Sequence, residues 1–228
     1  MTTSGTYTYN PGLGELTLYA FNLCGVRNTE VLQEHMFTAR TAANLMLANW
    51  ANQGVNLWAV DLITVPLVKG QTTYTVDSNT VMILDAYVTT TNGTLSTDRV
   101  ILPISRTEYS SYPNKDQQGF PTTYWFDRLI NPTVTIWPVP DGTQTTLKYY
   151  RVRQVQDSNL QNAQTVEIPY LWMDAFAFGL AARLAQIWKP ELVMVLKPQA
   201  MESYQIAASQ NVEYAQQYIS PQIQGYFR

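Results

Sequence analysis

Residues Glu30 to Gln53 read EVLQEHMFTARTAANLMLANWANQ. Within this stretch Leu32, Met36, Ala39, Ala43, Met46 and Trp50 recur at steps of four, three, four, three and four, which is one stripe along an α-helix. Thr29 stands before it as a candidate N-cap and Gly54 after it as a stop. The spacing predicts a helix over 30–53 with that stripe facing a core. Upstream, residues 1–12 carry no apolar period and read as an arm. Leu13 to Val26 is helix-compatible through Leu16, Tyr19, Ala20 and Leu23, with Gly25 as its stop.

After Asn56 the period changes. Runs rich in Val, Ile, Thr and Tyr predict strands at 62–68, 72–76, 81–89, 100–105, 122–127, 134–138 and 146–153. Lys69-Gly70, Asn92-Gly93 and Asp141-Gly142 read as hairpin turns. Pro66, Pro103 and Pro138 point to strand ends, bends or edges, and residues 108–121 read as a longer loop. At Ile168-Pro169 the helical period returns. Tyr170 to Trp188 is apolar nearly all round, interrupted by Asp174 and Arg183, as a central buried helix would be. Lys189-Pro190 ends it and starts another, which Pro198 is placed to break or restart. Ala200, Tyr204, Ala207, Asn211, Tyr214 and Tyr218 form a further stripe closed by Ser220-Pro221.

The expected fold is α+β: a helical bundle from both chain ends (1–60 and 164–220) with an inserted antiparallel β domain (61–163). Pro221 to Arg228 is a C-terminal tail. Helices from the two ends pack together because each shows an apolar stripe in need of a partner.

The 228 residues are 46% hydrophobic and only 14% charged, against about 25% charged in an average domain. Two readings fit: solubility carried by Thr, Asn, Gln, Ser and Tyr, or surfaces hidden against partners, since interface cores lack charge. A net charge of -3 gives no footprint for gripping a nucleic-acid backbone. The densest basic stretch, Lys148, Arg151 and Arg153, reads as one exposed face of a strand. With one cysteine, Cys24, no disulfide can form within the chain. No signal peptide opens the sequence and no run approaches the ~18 apolar residues of a membrane span. A protein made in a cytoplasm is expected.

The single histidine, His35, excludes a multi-histidine metal site and leaves no ordinary catalytic triad. It reads as an ordinary helix side chain. No phosphate loop or dinucleotide fingerprint occurs. A glycoside hydrolase needs only two carboxylates, but the acidic residues sit singly in helices and turns. No catalytic, cofactor-binding or metal-ligating residue is therefore assigned. The 15 Tyr, 7 Phe and 6 Trp, many adjacent as in Tyr124-Trp125-Phe126 and Tyr149-Tyr150, place alternate rings on opposite strand faces. Each serves either a β core or a partner surface.

GFPTTYWFDR at 119–128, VTIWPVPD at 134–141 and LKYYRVR at 147–153 occur in that order. The series resembles head-to-tail adaptor proteins of tailed phages, including the tail tubular protein A type of short-tailed phages. The opening helices, with Leu47-Ala48-Asn49-Trp50 and Gly54 ahead of the strands, are similar, as is Pro169 to Glu191. The resemblance implies a structural virion protein at the neck, made in the host bacterial cytoplasm. It implies a ring of twelve copies between the portal protein and the tail nozzle protein, with DNA passing through the lumen. No enzyme activity, cofactor or membrane is implied. Another tail-tube or nozzle subunit is the alternative, followed by a peptidoglycan-degrading virion enzyme. In the tail, Ile223, Tyr226 and Phe227 are the expected portal-binding residues; packing of the tail on its own bundle is the other reading.

Overall fold

The computed structural model describes residues 3–54, 56–143, 145–159 and 164–212. Helix α1 (Leu13–Leu23) buries Leu13, Leu16, Thr17, Ala20 and Phe21. It stops where the sequence expects. Gly25 takes φ +73°, its N–H donates to the Asn22 carbonyl at 2.9 Å, and Val26 N–H donates to the Phe21 carbonyl at 3.0 Å. This paired closure uses the left-handed position that suits glycine.

Helix α2 (Gln33–Gln53) starts three residues later than expected. Thr29 is not its cap. It lies inside a 3-10 turn, Asn28–Glu30, closed by Glu30 N–H on the Arg27 carbonyl at 2.8 Å. The helix begins instead after Leu32, whose N–H donates to His35 Nδ1 at 3.1 Å. Leu32 is consequently 59% exposed and is not part of the buried stripe. Ala39, Ala43, Met46 and Trp50 are buried as expected, and Met36 packs against them.

The chain returns through a 3-10 turn, Tyr170–Trp172, into α4, so labelled because a short α3 lies in the β region. Helix α4 (Met173–Trp188) buries eight residues, among them Phe176, Leu180 and Leu184. It runs so close to α2 that a Cβ on Gly179 would stand 2.6 Å from Met46 Sδ. Glycine there is a packing requirement. Helix α5 (Val193–Ser209) follows the 3-10 turn Pro190–Leu192 and carries Pro198 inside it without a break. Met194, whose carbonyl loses its helical donor to that proline, is exposed, so water can serve it. The helix ends at Ser209, ahead of the expected Ser220. Tyr214 and Tyr218 of the expected stripe lie outside the described residues.

The helices share one core. Its Ala20, Ala39, Ala43, Ala181 and Ala185 let the backbones approach. At one end Trp50, Trp58 and Tyr204 gather on Trp172, with ring centroids 5.2, 4.8 and 5.5 Å from it.

All seven expected strands form: β1 (Val60–Pro66), β2 (Thr73–Thr75), β3 (Thr80–Asn92), β4 (Leu95–Pro103), β5 (Thr123–Asp127), β6 (Thr133–Trp137) and β7 (Thr145–Arg153). They make one sheet in the order β1-β7-β3-β4-β5-β6-β2. Pairing is antiparallel except β4 with β5, which run parallel over Leu102↔Thr123 and Pro103↔Tyr124. Tyr74 of β2 and Leu147 and Tyr149 of β7 share one core with Val88, Ile101 and Ile136, so the sheet curls on itself. Pro66 and Pro103 end their strands, and Pro138 follows β6 directly.

Of the three expected hairpin turns, only Asn92-Gly93 is one, joining β3 and β4 with Asn92 opposite Leu95. Lys69-Gly70 and Asp141-Gly142 instead carry the chain between strands that do not pair. They run side by side, with Gly70 N–H on the Pro140 carbonyl at 3.0 Å. The expected loop 108–121 opens on α3 (Arg106–Ser111), capped by Glu108 N–H on Ser105 Oγ at 3.1 Å. Ser105-x-x-Glu108 is a capping signature present in the sequence.

Candidate assembly surfaces

The basic residues of β7 do not form one exposed face. Lys148 points to the opposite side from Arg151 and Arg153 because strand neighbours alternate. Arg151 is buried and donates to Asp77 Oδ2 at 2.8 Å, Asn79 Oδ1 at 3.0 Å and Thr80 Oγ1 at 2.9 Å. Arg153 holds Asp61 at 2.9 Å and forks onto Glu167, whose Oε2 also accepts Gln156 N–H at 2.9 Å. The Arg153 hydrogen bond holds the Glu167 carboxyl below the usual carboxylate range. This network ties β1, β7 and the turn before β3 to the irregular segment leading back into the helices. Both guanidiniums, Arg151 and Arg153, are thus paired within the chain.

The motif residues 119–141 serve each other. Gly119 N–H donates to the Val139 carbonyl at 2.8 Å and Thr122 N–H to the Trp137 carbonyl at 3.0 Å. A Cβ on Gly119 would meet Pro138 at 3.6 Å. Trp125 stacks on Tyr109 at 5.7 Å between centroids, and Trp137 lies 4.3 Å from Tyr112 while its Nε1–H donates to the Asn114 carbonyl at 3.1 Å. The motif is therefore a structural clasp that seats α3 on β5 and β6. In the adjacent pair on β7, Tyr149 is buried and Tyr150 is 40% exposed.

His35 accepts the α2 cap bond and lies 4.2 Å from Trp188 between ring centroids, a packing role. Cys24 is fully buried, its thiol donating to the Ala181 carbonyl at 3.0 Å. Burial raises that thiol to about 11, which keeps it protonated and unreactive near neutral pH. Among the described residues, no group of three or more His, Cys, Asp or Glu could hold a metal ion. No helix among them is long and apolar enough to cross a membrane. Ile223, Tyr226 and Phe227 lie outside the described residues.

The helical body presents several large apolar side chains outward. Phe37 and Leu45 of α2, Ile187 of α4, and Met194, Met201 and Ile206 of α5 are each more than half exposed. Two grooves flank α4. One of about 820 Å³ lies between α1 and the start of α4, lined by Tyr9, Tyr19, Tyr170 and Leu171 with Glu15 and Asp174. The other, about 380 Å³, lies between α2 and the end of α4, lined by Phe37, Leu45 and Ile187 with Arg183. Burial without an anion beside it lowers the Arg183 guanidinium from its ordinary value. These surfaces escape a search for stripes, because the helices carry apolar residues on both faces; the low charge content is their only sequence signal.

A comparison with curated proteins found no match. The model of the SU10 adaptor protein family matches residues 28–222, a span that takes in α2, the whole sheet and the returning helices. The chain belongs to the SU10 adaptor protein family, a family of phage head-to-tail adaptors, and is a structural component of the virion.

Proposed function

We propose that the chain assembles as a ring of twelve copies at the virion neck, joining the portal protein above to the tail nozzle protein below. The helical bundle (1–60 and 164–220) and the tail 221–228 grip the portal, and the β domain (61–163) faces the nozzle. DNA passes through the lumen without sequence-specific binding. The reading calls on no enzymatic step, cofactor or membrane.

The observation that carries the reading, beside family membership, is the outward face of α5. Met194, Val195, Met201 and Ile206 are 84, 57, 63 and 64% exposed on a helix that also buries Leu196 and Ala207. Uncovered apolar area of this kind marks an interaction surface. Internal pairing of Arg151 and Arg153 fits a conduit that does not hold DNA. Ile223, Tyr226 and Phe227 supply aromatic and aliphatic anchors of the type that dominate interfaces.

Mixing the full chain with purified portal rings tests this. Electron microscopy should show one ring of the chain stacked on each portal. Deleting residues 221–228 should leave the thermal melt unchanged and abolish that stacking. A chain that stays monomeric with and without portal would overturn the adaptor ring, and a deletion that binds portal normally would overturn the tail's part in it.

A further inference from the structure

We infer that copies of this chain join head to tail through the two flanks of α4, the Asp174 groove of one copy receiving the Arg183 flank of the next. The inference rests on the proposed ring and names its lateral contact. Asp174 and Arg183 are the two charges in an otherwise apolar helix, nine residues apart. At about 100° per residue they project about 180° apart around α4. A closed ring of many copies needs two different, complementary faces lying nearly opposite each other on one subunit.

Each charge sits in an apolar groove, and neither has an ion-pair partner among the described residues. Asp174 stands in the first turn of α4, where a helix favours an acid. Arg183 has no such reason to be where it is. Its neighbours one turn away, Gly179 and Ile187, offer no carboxylate. One groove therefore carries two acids, Glu15 and Asp174, and the other a half-buried cation. The wider groove is bordered by Tyr9, Tyr19 and Tyr170, and the opposite flank projects Phe37 and Ile187, apolar side chains able to enter it. Opposite charge across such a contact fixes register, and like charge there is costly. A second copy of this chain meets these demands with surfaces already present, so it is the occupant.

Charge reversal in the full-length chain decides the matter, read by sedimentation velocity and native mass spectrometry, alone and on portal rings. Asp174→Arg and Arg183→Glu should each weaken self-association at least about tenfold. Mixing the two single variants in equal amounts should restore rings, because each supplies the face the other needs. The chain carrying both changes should also assemble. Recovery on mixing cannot come from misfolded protein, and far-UV circular dichroism of each variant checks the fold directly. Single variants that assemble like the parent chain would overturn this contact while leaving the ring intact. Folded single variants that dissociate but do not recover on mixing would overturn it too. A parent chain that forms no ring even on portal would remove the adaptor reading itself, a different failure.

Discussion

The helical body and the β domain are held together by different means. All four ion pairs among the described residues involve Arg151 or Arg153 of β7. The helical core is closed by alanines, aromatic rings and the near-contact of Gly179 with Met46. In the β domain, charges are spent on holding the fold. In the helical body Asp174 and Arg183 of α4 lie beside apolar grooves and have no ion-pair partner among the described residues. The polar network also reaches out of the sheet, since Arg153 pairs with Glu167 on the segment that returns to the helices.

The largest effect should come from putting a charge into the helical core. Met46→Asp buries a carboxylate beside Gly179 and Trp50, costing several kcal/mol against a total of roughly 5–15 kcal/mol. Thermal melts should show an unfolded or aggregated protein. Leu32→Asp, at the exposed cap position, should melt within about 0.5 kcal/mol of the parent, the ordinary range for surface changes. A helical, soluble Met46→Asp protein would break the distinction between a dry core and a polar one.

Next in size is Arg151→Ala. It leaves Asp77, Asn79 and Thr80 without their shared donor and should cost about 1–3 kcal/mol. Hydrogen exchange should accelerate in β1, β3 and β7 before it does in α2 and α4. Loss of protection spread evenly over both regions would show that the network supports the whole molecule.

Glu167 joins the two regions, and its folded-state carboxyl is held below the ordinary value by Arg153. A depressed carboxyl stabilises the fold above its unfolded value of about 4.3 and ceases to do so as pH falls through the folded one. Denaturant titrations should show stability declining from pH ~5 downward, more steeply in the parent than in Glu167→Gln. Equal slopes would remove the joint from the account.

The smallest effect concerns Cys24. Its thiol, raised to about 11 by burial, binds its proton more tightly in the folded chain. Stability is therefore fully present below the unfolded value of about 8.5 and declines as pH climbs toward the folded one. Cys24→Ala should flatten that alkaline decline, and alkylation of the parent thiol at neutral pH should wait on unfolding. Fast labelling of the folded chain would contradict the dry helical core.

The sequence by itself determined the long helices and the strands, though it read the segment of the short α3 as loop. Repeat spacing is a local property, and period 3.6 or 2 survives in any context that buries one face. All seven strands, the core stripe from Met36 to Trp50 and the buried central helix followed from it. It also carried the resemblance, because the Gly119, Trp125, Trp137 and Pro138 clasp depends on residues at fixed places along the chain. The tertiary structure alone decided which strands pair. Lys69-Gly70 and Asp141-Gly142 encode a reversal of direction, but which strand receives the chain afterwards depends on the curl of the whole sheet. It decided that Arg151 is buried, since its partners Asp61 and Asp77 lie far away in sequence. It decided that Leu32 is exposed, through the His35 cap that delays the start of α2. And it placed Asp174 and Arg183 in separate grooves on opposite sides of one helix, because a groove is made by two elements and no single segment contains it.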